Sequence, residues 1–276
     1  MNEFVTPYIE ETLRLSPAEL EMHTKSDTGY TFLHALAGFT RDRRVLRDQL
    51  IAILLAGRDT TASTLSWTFY ELAKHPEVVA KLRAEIAYTV GPMTPPTYAH
   101  LKSMKYLQNT MNETLRIYPV VPFNVRFALR DTTLPRGGGS DGQAPVGVLK
   151  DTPIAFSTLL MQRRPDLYPP SFASDPSLSP TNFNPDRWTT WQPHSWRYVP
   201  FNGGPRICIG QQFALAEMGY TIVRLLQHFG RLENRMSPEI CREPLMKSDI
   251  VLSPAAGVHV AFWDAAQKER IDKSKS

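Results

Sequence analysis

Only two cysteines occur among the 276 residues, and one of them, Cys208, lies in "FNGGPRICIG" (201–210), a run of glycines, a proline and an arginine directly before a long helical pattern. A thiol ligates a metal or attacks a substrate only as the thiolate, which a helix N-terminus favours through its unpaired N–H groups and its dipole. Gly203, Gly204 and Gly210 let the backbone approach something flat and bulky, and Arg206 offers a planar cation suited to a carboxylate. Flat, bulky and carboxylated describes haem. Two other readings stand beside this one: a buried structural cysteine, and a cysteine nucleophile. A nucleophile wants a positioned histidine, and the nearest upstream is His194.

Three further stretches could do chemistry or support it. "AGRDTT" (56–61) places a glycine, an aspartate and two threonines inside a long apolar pattern, where each is a poor helix former. A hydroxyl that returns its hydrogen bond to the preceding turn can open the helix locally and leave room for a small ligand; an ordinary polar helix face is the alternative. "ETLR" (113–116) puts Glu113 and Arg116 at i, i+3 on one helix face, a pair worth a few tenths of a kcal/mol if exposed. "FNPDRW" (183–188) contributes another arginine, Arg187. Gly137, Gly139 and Gly142 satisfy G-x-G-x-x-G without joining a strand to a helix, so they do not read as a dinucleotide site. The seven histidines show no H-x-x-x-H pairing for zinc.

The elements that must position these residues are legible from the punctuation. From about Asp42 to Lys74 no proline interrupts the pattern, so a helix of about 33 residues would run roughly 50 Å. Pro76 opens the next helix and Gly91-Pro92 ends it; a further helix runs from about Leu101 until Pro119 and Pro122 terminate it. The chain then turns to strand-like pieces, "NVRFAL" and "TPIAFSTL", separated by the turn-rich "LPRGGGSDGQAPVG". A proline-rich stretch (165–193) precedes the cysteine loop. The helix "QQFALAEMGYTIVRLLQHFG" is expected to close on Gly230, and short strands, "DIVLS" and "GVHVAFW", end the chain. The fold class is mainly α with small β elements.

Composition narrows the classes. With 42% hydrophobic and 10% aromatic residues the chain can build a sizeable core. Two cysteines form no disulfide framework, so a cytosol-facing setting is the default. "LIAILLAG" (50–57), the longest clean apolar run, falls far short of the roughly 20 residues a membrane-spanning helix needs. The acidic start "MNEFVTPYIEETLRL" does not read as a signal peptide. Net charge is +4, with basic clusters at 41–44, 162–164 and 268–275. Without interleaved aromatics these read as solvated faces, with no nucleic-acid partner.

Phe201, Gly204, Arg206, Cys208 and Gly210 meet F-x-x-G-x-R-x-C-x-G, which resembles the haem-ligand signature of the cytochrome P-450 family. The other stretches resemble the same family in order and spacing, over roughly residues 20–262. The resemblance implies the C-terminal part of that fold, a haem b iron ligated by Cys208, and proton delivery to iron-bound dioxygen by Asp59 and Thr60. It further implies a buried network of Glu113, Arg116 and Arg187, and a haem-propionate contact for Arg126. Among members, "LLAGRDTTAS", "FNVRFALRDTTLPRGGG" and "MQRRPDLY" look most like the fungal alkane and fatty-acid terminal hydroxylases. A long apolar substrate would then meet Leu55, Ala56 and Thr60, Val120, Val121, Pro122 and Phe123, and the hairpin containing Ala255 and Ala256.

Electrons would come from NADPH through a flavoprotein reductase docked on the cysteine side. Full-length relatives are expected in the endoplasmic reticulum membrane. Against this group, the prolines of 168–188 are more numerous and Gln162 stands where a histidine is usual; both departures are expected to be peripheral. Residues 1–276 are expected to form one truncated domain, lacking the family's N-terminal anchor and the helices over the haem, able to ligate haem through a thiolate but inactive alone. A non-catalytic haem-binding fragment and a haem-thiolate isomerase or peroxide-driven enzyme are the alternatives.

Overall fold

The computed structural model describes residues 1–25 and 31–264; the basic run at 268–275 lies outside them. Two compact units divide between Asp59 and Thr60, within one helix. In the first unit, α1 (Asn2–Arg14), α2 (Pro17–Lys25), α3 (Phe32–Phe39) and the start of α4 (Arg43–Lys74) enclose Val5, Ile9, Leu20, Leu33, Ala37 and Leu46. The helices are begun by local caps: the Thr31 hydroxyl accepts the His34 N–H, and the Asp42 carboxylate accepts that of Arg44 at 2.8 Å. The basic run at 41–44 is largely exposed, and Arg43 pairs with Glu10.

The second unit contains the rest of α4, then α5 (Pro76–Thr89), α6 (Tyr98–Ser103) and α7 (Lys105–Ile117). Strands β1 (Phe123–Phe127), β2 (Thr132–Gly138), β3 (Ala144–Val148) and β4 (Pro153–Ser157) follow, then the short helices α8 (Thr158–Met161) and α9 (Arg187–Thr190). After α10 (Gln211–His228) come β5 (Phe229–Asn234), α11 (Pro238–Arg242), β6 (Met246–Ser248), β7 (Leu252–Pro254) and β8 (Val260–Asp264). All strands pair in antiparallel twos: β1 with β4, β2 with β3, β5 with β8 and β6 with β7.

The core of this unit is centred on Trp67, whose ring stacks on Tyr118 at 4.1 Å and meets Tyr70 edge-on at 5.7 Å. The Trp67 indole N–H and the Ser63 hydroxyl both donate to the Leu252 carbonyl, tying α4 to the β6–β7 hairpin. Leu107, Met111 and Leu115 of α7 and Met218, Ile222 and Val223 of α10 complete the core.

Several boundaries differ from the sequence expectation for physical reasons. The helix expected from Leu101 onward is interrupted at Met104, whose backbone is extended (ψ 92°). The new helix start has no local side-chain cap; the Glu85 carboxylate on α5 accepts the N–H groups of Tyr106 and Leu107 at 2.8 and 2.9 Å instead. Helix α10 does not close on Gly230. It ends at His228 and runs through an extended Phe229 into β5, while the Arg83 guanidinium donates to the carbonyls of Leu226 and Phe229. The turn-rich "LPRGGGSDGQAPVG" is mostly strand: β2 and β3 pair through it, with Gly139 and Gly142 at positive φ in the turn and Gly137 at positive φ where the β2 register shifts.

Candidate haem-thiolate site

The cysteine loop is a ring closed on its own backbone. The Cys208 N–H donates to the Phe201 carbonyl at 2.9 Å, and the chain between them passes through left-handed Asn202 (φ 61°) and Gly204 (φ 63°). Gly204 opens a single 3₁₀ turn, Gly204–Arg206, and Gly210 stands as the N-cap of the 18-residue α10. Cys208 is exposed and is bordered by exposed Ile207, Ile209 and Phe213. A β-carbon at Gly210 would lie 3.9 Å from the Cys208 Sγ, an ordinary contact, so Gly210 sits directly beside the sulfur. A β-carbon at Gly203 would lie 2.7 Å from the Trp196 ring, which packs against the other side of the loop. Phe201 is half-buried; Arg206 is exposed and makes no salt bridge among the described residues. An open thiol, an apolar rim and a free cation fit a flat, apolar, carboxylated group.

The loop is fastened to its surroundings at three points. The Asn202 amide donates to the Asn124 side chain of β1 at 3.3 Å, the Tyr198 hydroxyl to the Asn112 carbonyl of α7 at 3.2 Å, and the Val199 N–H to the Gln162 side chain at 3.0 Å. Arg126, on the exposed β1, donates to the Val125 carbonyl and lies over the Phe156 ring. It faces solvent and is not paired with a carboxylate among the described residues.

Behind the loop, Glu113 and Arg116 of α7 and Arg187 of α9 are fully buried. Arg116 makes a two-pronged contact to Glu113 at 2.7 and 2.8 Å, and Arg187 reaches the same carboxylate at 2.8 Å. The Trp188 indole and the Asn184 N–H complete the carboxylate's partners at 2.9 Å each. One carboxylate faces two guanidiniums. The surplus charge is met by carbonyl dipoles: Arg116 donates to Pro180 and Asn182, and Arg187 to Leu178, Ser179 and Asn182. Burial is the largest influence on both cations and works against them; at Arg116 the charge and hydrogen bonds of Glu113, joined by Tyr168, together outweigh it and raise the pKa, whereas at Arg187 burial prevails and lowers it. Both stay protonated, because arginine's ordinary value lies so far above neutrality. The proline-rich stretch is thus a shell of acceptors wrapped around buried cations.

Gln162 and Arg163, read from sequence as part of a solvated basic cluster and a peripheral departure, are neither. Gln162 is 1% exposed. Its amide donates to the Leu115 and Arg116 carbonyls at 3.0 Å each, and Arg163 donates to that of Ile117 at 2.7 Å. Two consecutive side chains thereby satisfy three carbonyls in the last turn of α7, where no intrahelical partner exists. Nothing local in the sequence signals this, because the partners lie more than forty residues away.

Helix α4 is α-helical without a break from Arg43 to Lys74, so "AGRDTT" does not open it. Hydroxyls further along return bonds to carbonyls one turn back, Thr64 to Thr60 and Thr68 to Thr64, and the helix keeps its course. Asp59, in the first unit, is exposed and ion-paired to Arg58 at 2.7 Å; that hydrogen bond lowers its pKa. Leu55 and Ala56 are exposed on the same unit. In the second unit Val120 and Pro122 are buried, Val121 half-buried and Phe123 exposed. The Leu252 N–H donates to the Val120 carbonyl at 2.9 Å, which brings this segment to the hairpin that continues into Ala255 and half-buried Ala256.

A second polar cluster escapes sequence reading. Glu71 is buried and accepts the Tyr118 hydroxyl at 2.6 Å; Lys74 and His75 approach the same carboxylate at 3.3 and 3.4 Å, and His75 also meets Glu77 at 2.9 Å. No helix of the described residues is long and apolar enough to cross a membrane. They contain no cluster of three or more histidine, cysteine, aspartate or glutamate side chains able to hold a metal.

The chain is mainly helical, with an exposed cysteine at the head of a long helix and a buried Glu–Arg–Arg cluster in the same unit, an arrangement that suits a haem-binding protein. The family model for cytochrome P-450 matches residues 3–259, and the chain belongs to the cytochrome P-450 family, whose prosthetic group is haem iron. It is 54% identical over 267 residues to the cytochrome P-450 monooxygenase pvhE of Talaromyces variabilis, covering 97% of this chain and 49% of that protein. It is 48% identical to cytochrome P-450 52A13 of Debaryomyces hansenii (95% and 47% covered) and 43% identical to cytochrome P-450 52A1 of Candida tropicalis (95% and 47% covered). The chain therefore spans about half the length of the curated relatives it matches.

Proposed function

We propose that this chain supplies the thiolate side of a haem-dependent monooxygenase acting on aliphatic C–H bonds, with n-alkanes or fatty acids as the substrate class. The observation that carries the reading is the Cys208 loop, an exposed thiol at the head of α10 with glycine beside it and an apolar rim. Bound through Cys208, haem iron supplies reductive activation of dioxygen, so that RH, dioxygen, two electrons and two protons give ROH and water.

The chain's own residues divide the remaining work. Cys208 would hold the iron through its exposed sulfur. Phe201, Gly204 and Gly210 shape the face presented to the porphyrin, and Arg206 and Arg126 neutralise its carboxylates. Glu113, Arg116 and Arg187 hold the loop's support and take no part in proton transfer. Asp59 and Thr60 deliver protons. Asp59 stands exposed beside Arg58 at 2.7 Å, within reach of solvent as a proton source. Leu55, Ala56, Val120 to Phe123, Ala255 and Ala256 present apolar surface to substrate. Electrons come from an NADPH-dependent flavoprotein reductase, whose acidic face suits the exposed Arg206 side. The setting of this reading is the endoplasmic reticulum membrane.

The chain spans about half the length of its relatives, so the test is turnover in a relative-length fusion. The chain joined to the N-terminal half of the 54%-identical monooxygenase, loaded with hemin and given a flavoprotein reductase, NADPH and dodecanoate, should yield hydroxylated acid, and Cys208→Ala should yield none. A haem-loaded fusion that consumes NADPH yet forms no hydroxylated product would overturn the monooxygenase reading.

A further inference from the structure

Gln162 uses its whole amide. An amide offers two N–H donors and a carbonyl; here both hydrogens go to the Leu115 and Arg116 carbonyls at the end of α7, and the oxygen accepts the Val199 N–H. Its backbone carbonyl receives the Tyr168 hydroxyl, which in turn accepts from Arg116 at 2.9 Å. From Val199 the connection continues through the loop's backbone: its carbonyl accepts the Asn202 N–H at 3.1 Å, and the Phe201 carbonyl accepts that of Cys208 at 2.9 Å. Tyr198 makes a second tie to α7, through its side chain rather than the loop backbone. The guanidinium of Arg163, the neighbouring cap, donates to the Ile117 carbonyl and makes no hydrogen bond to the loop.

We propose that Gln162 is a positioning residue for Cys208: its side-chain amide fixes the cysteine loop to the end of α7 directly, without the Glu113 carboxylate as an intermediate. The inference deepens the reading of Cys208 as the haem ligand and rests on it for its functional meaning. Helix capping alone would make Gln162 and Arg163 equivalent; the bond to Val199 separates them.

The test is site-resolved amide hydrogen exchange on the whole chain without added haem, comparing wild type, Gln162→Met, Gln162→His and Arg163→Met. With Gln162→Met, the Asn202 and Cys208 amides, which do not themselves bond to residue 162, should exchange about tenfold faster while core amides around Trp67 and Met111 keep their rates. Gln162→His, retaining one donor and one acceptor, should restore most of the protection. Arg163→Met should leave the loop at wild-type rates. Unchanged loop exchange in Gln162→Met would overturn the proposal, as would equal acceleration in Gln162→Met and Arg163→Met. If Gln162→Met loosens the core as well, Gln162→His decides: loop exchange accelerated beyond that of the core supports the coupling, and acceleration in step with it refutes the coupling. Because no haem is added, failure here leaves the ligand assignment of Cys208 standing, and failure of that assignment leaves the mechanical coupling measurable.

Discussion

At the scale of single residues, Glu113 matters because it carries two buried guanidiniums on one carboxylate. Glu113→Gln keeps the shape and removes the charge, leaving both cations buried against dipoles alone. We expect a loss of about 3–5 kcal/mol, read as a large fall in the urea midpoint; a midpoint within experimental scatter of wild type would mean that the carbonyl shell suffices. The Glu71–His75 pair makes a prediction with a sign. The bond that the His75 ring donates to the Glu71 carboxylate, opposed by burial and reinforced by Glu77, raises the His75 pKa. The charged histidine therefore contributes stability that is fully present below its unfolded value of about 6.5 and is lost as pH rises through the folded value. Burial pushes Glu71 the other way, yet its bonds to His75 and Tyr118 and the Lys74 charge hold its pKa below the ordinary value. Its contribution is present above the unfolded value and is lost as pH falls through the folded one. An NMR titration should place the His75 midpoint above 6.5 and bring it down in Glu71→Gln; a midpoint unmoved by that change would break the pairing.

At the scale of elements, the ends of helices are held by side chains from elsewhere in the chain. Glu85 starts α7, Gln162 and Arg163 finish it, and Arg83 finishes α10. Close approach of α10 to α6 and α7 runs over Gly219, where an added β-carbon would meet Leu101 and Leu107 at 3.5 Å, an ordinary contact. Gly219→Ala should therefore stabilise by about 0.5–1 kcal/mol, through helix propensity and a filled gap, measured as a rise in melting temperature. A fall would mean that the helices are packed too tightly to take a methyl group.

These contacts also mark what the sequence discloses. Local chemistry is legible: Pro76 at the first position of α5, Glu113 and Arg116 on one face, and the long α4 all follow from spacing and propensity. The break at Met104 is not, since methionine at the cap position offers no side-chain acceptor and the compensating Glu85 lies 21 positions from Tyr106. Gly230 reads as a helix stop by local rules, but Arg83, 146 positions before Phe229, already serves the terminal carbonyls. Gln162 reads as surface because its neighbours are arginines. Side chains whose partners are distant in sequence leave no periodic signal, and at this site they hold the frame around the cysteine.

At the scale of the whole molecule, the chain matches about half the length of its relatives, and its two compact units meet the proposed chemistry differently. The second contains the Cys208 loop, the ion network and the Gln162 tie; the first carries Asp59 and exposed Leu55 and Ala56. The central claim is that Cys208 ligates haem iron as a thiolate, and the reduced, carbon monoxide-treated absorption spectrum of the hemin-loaded chain tests it most directly. A strongly red-shifted Soret band that disappears in Cys208→Ala is the predicted result. A wild-type chain that takes up hemin without that band, or a band that persists in Cys208→Ala, would contradict it.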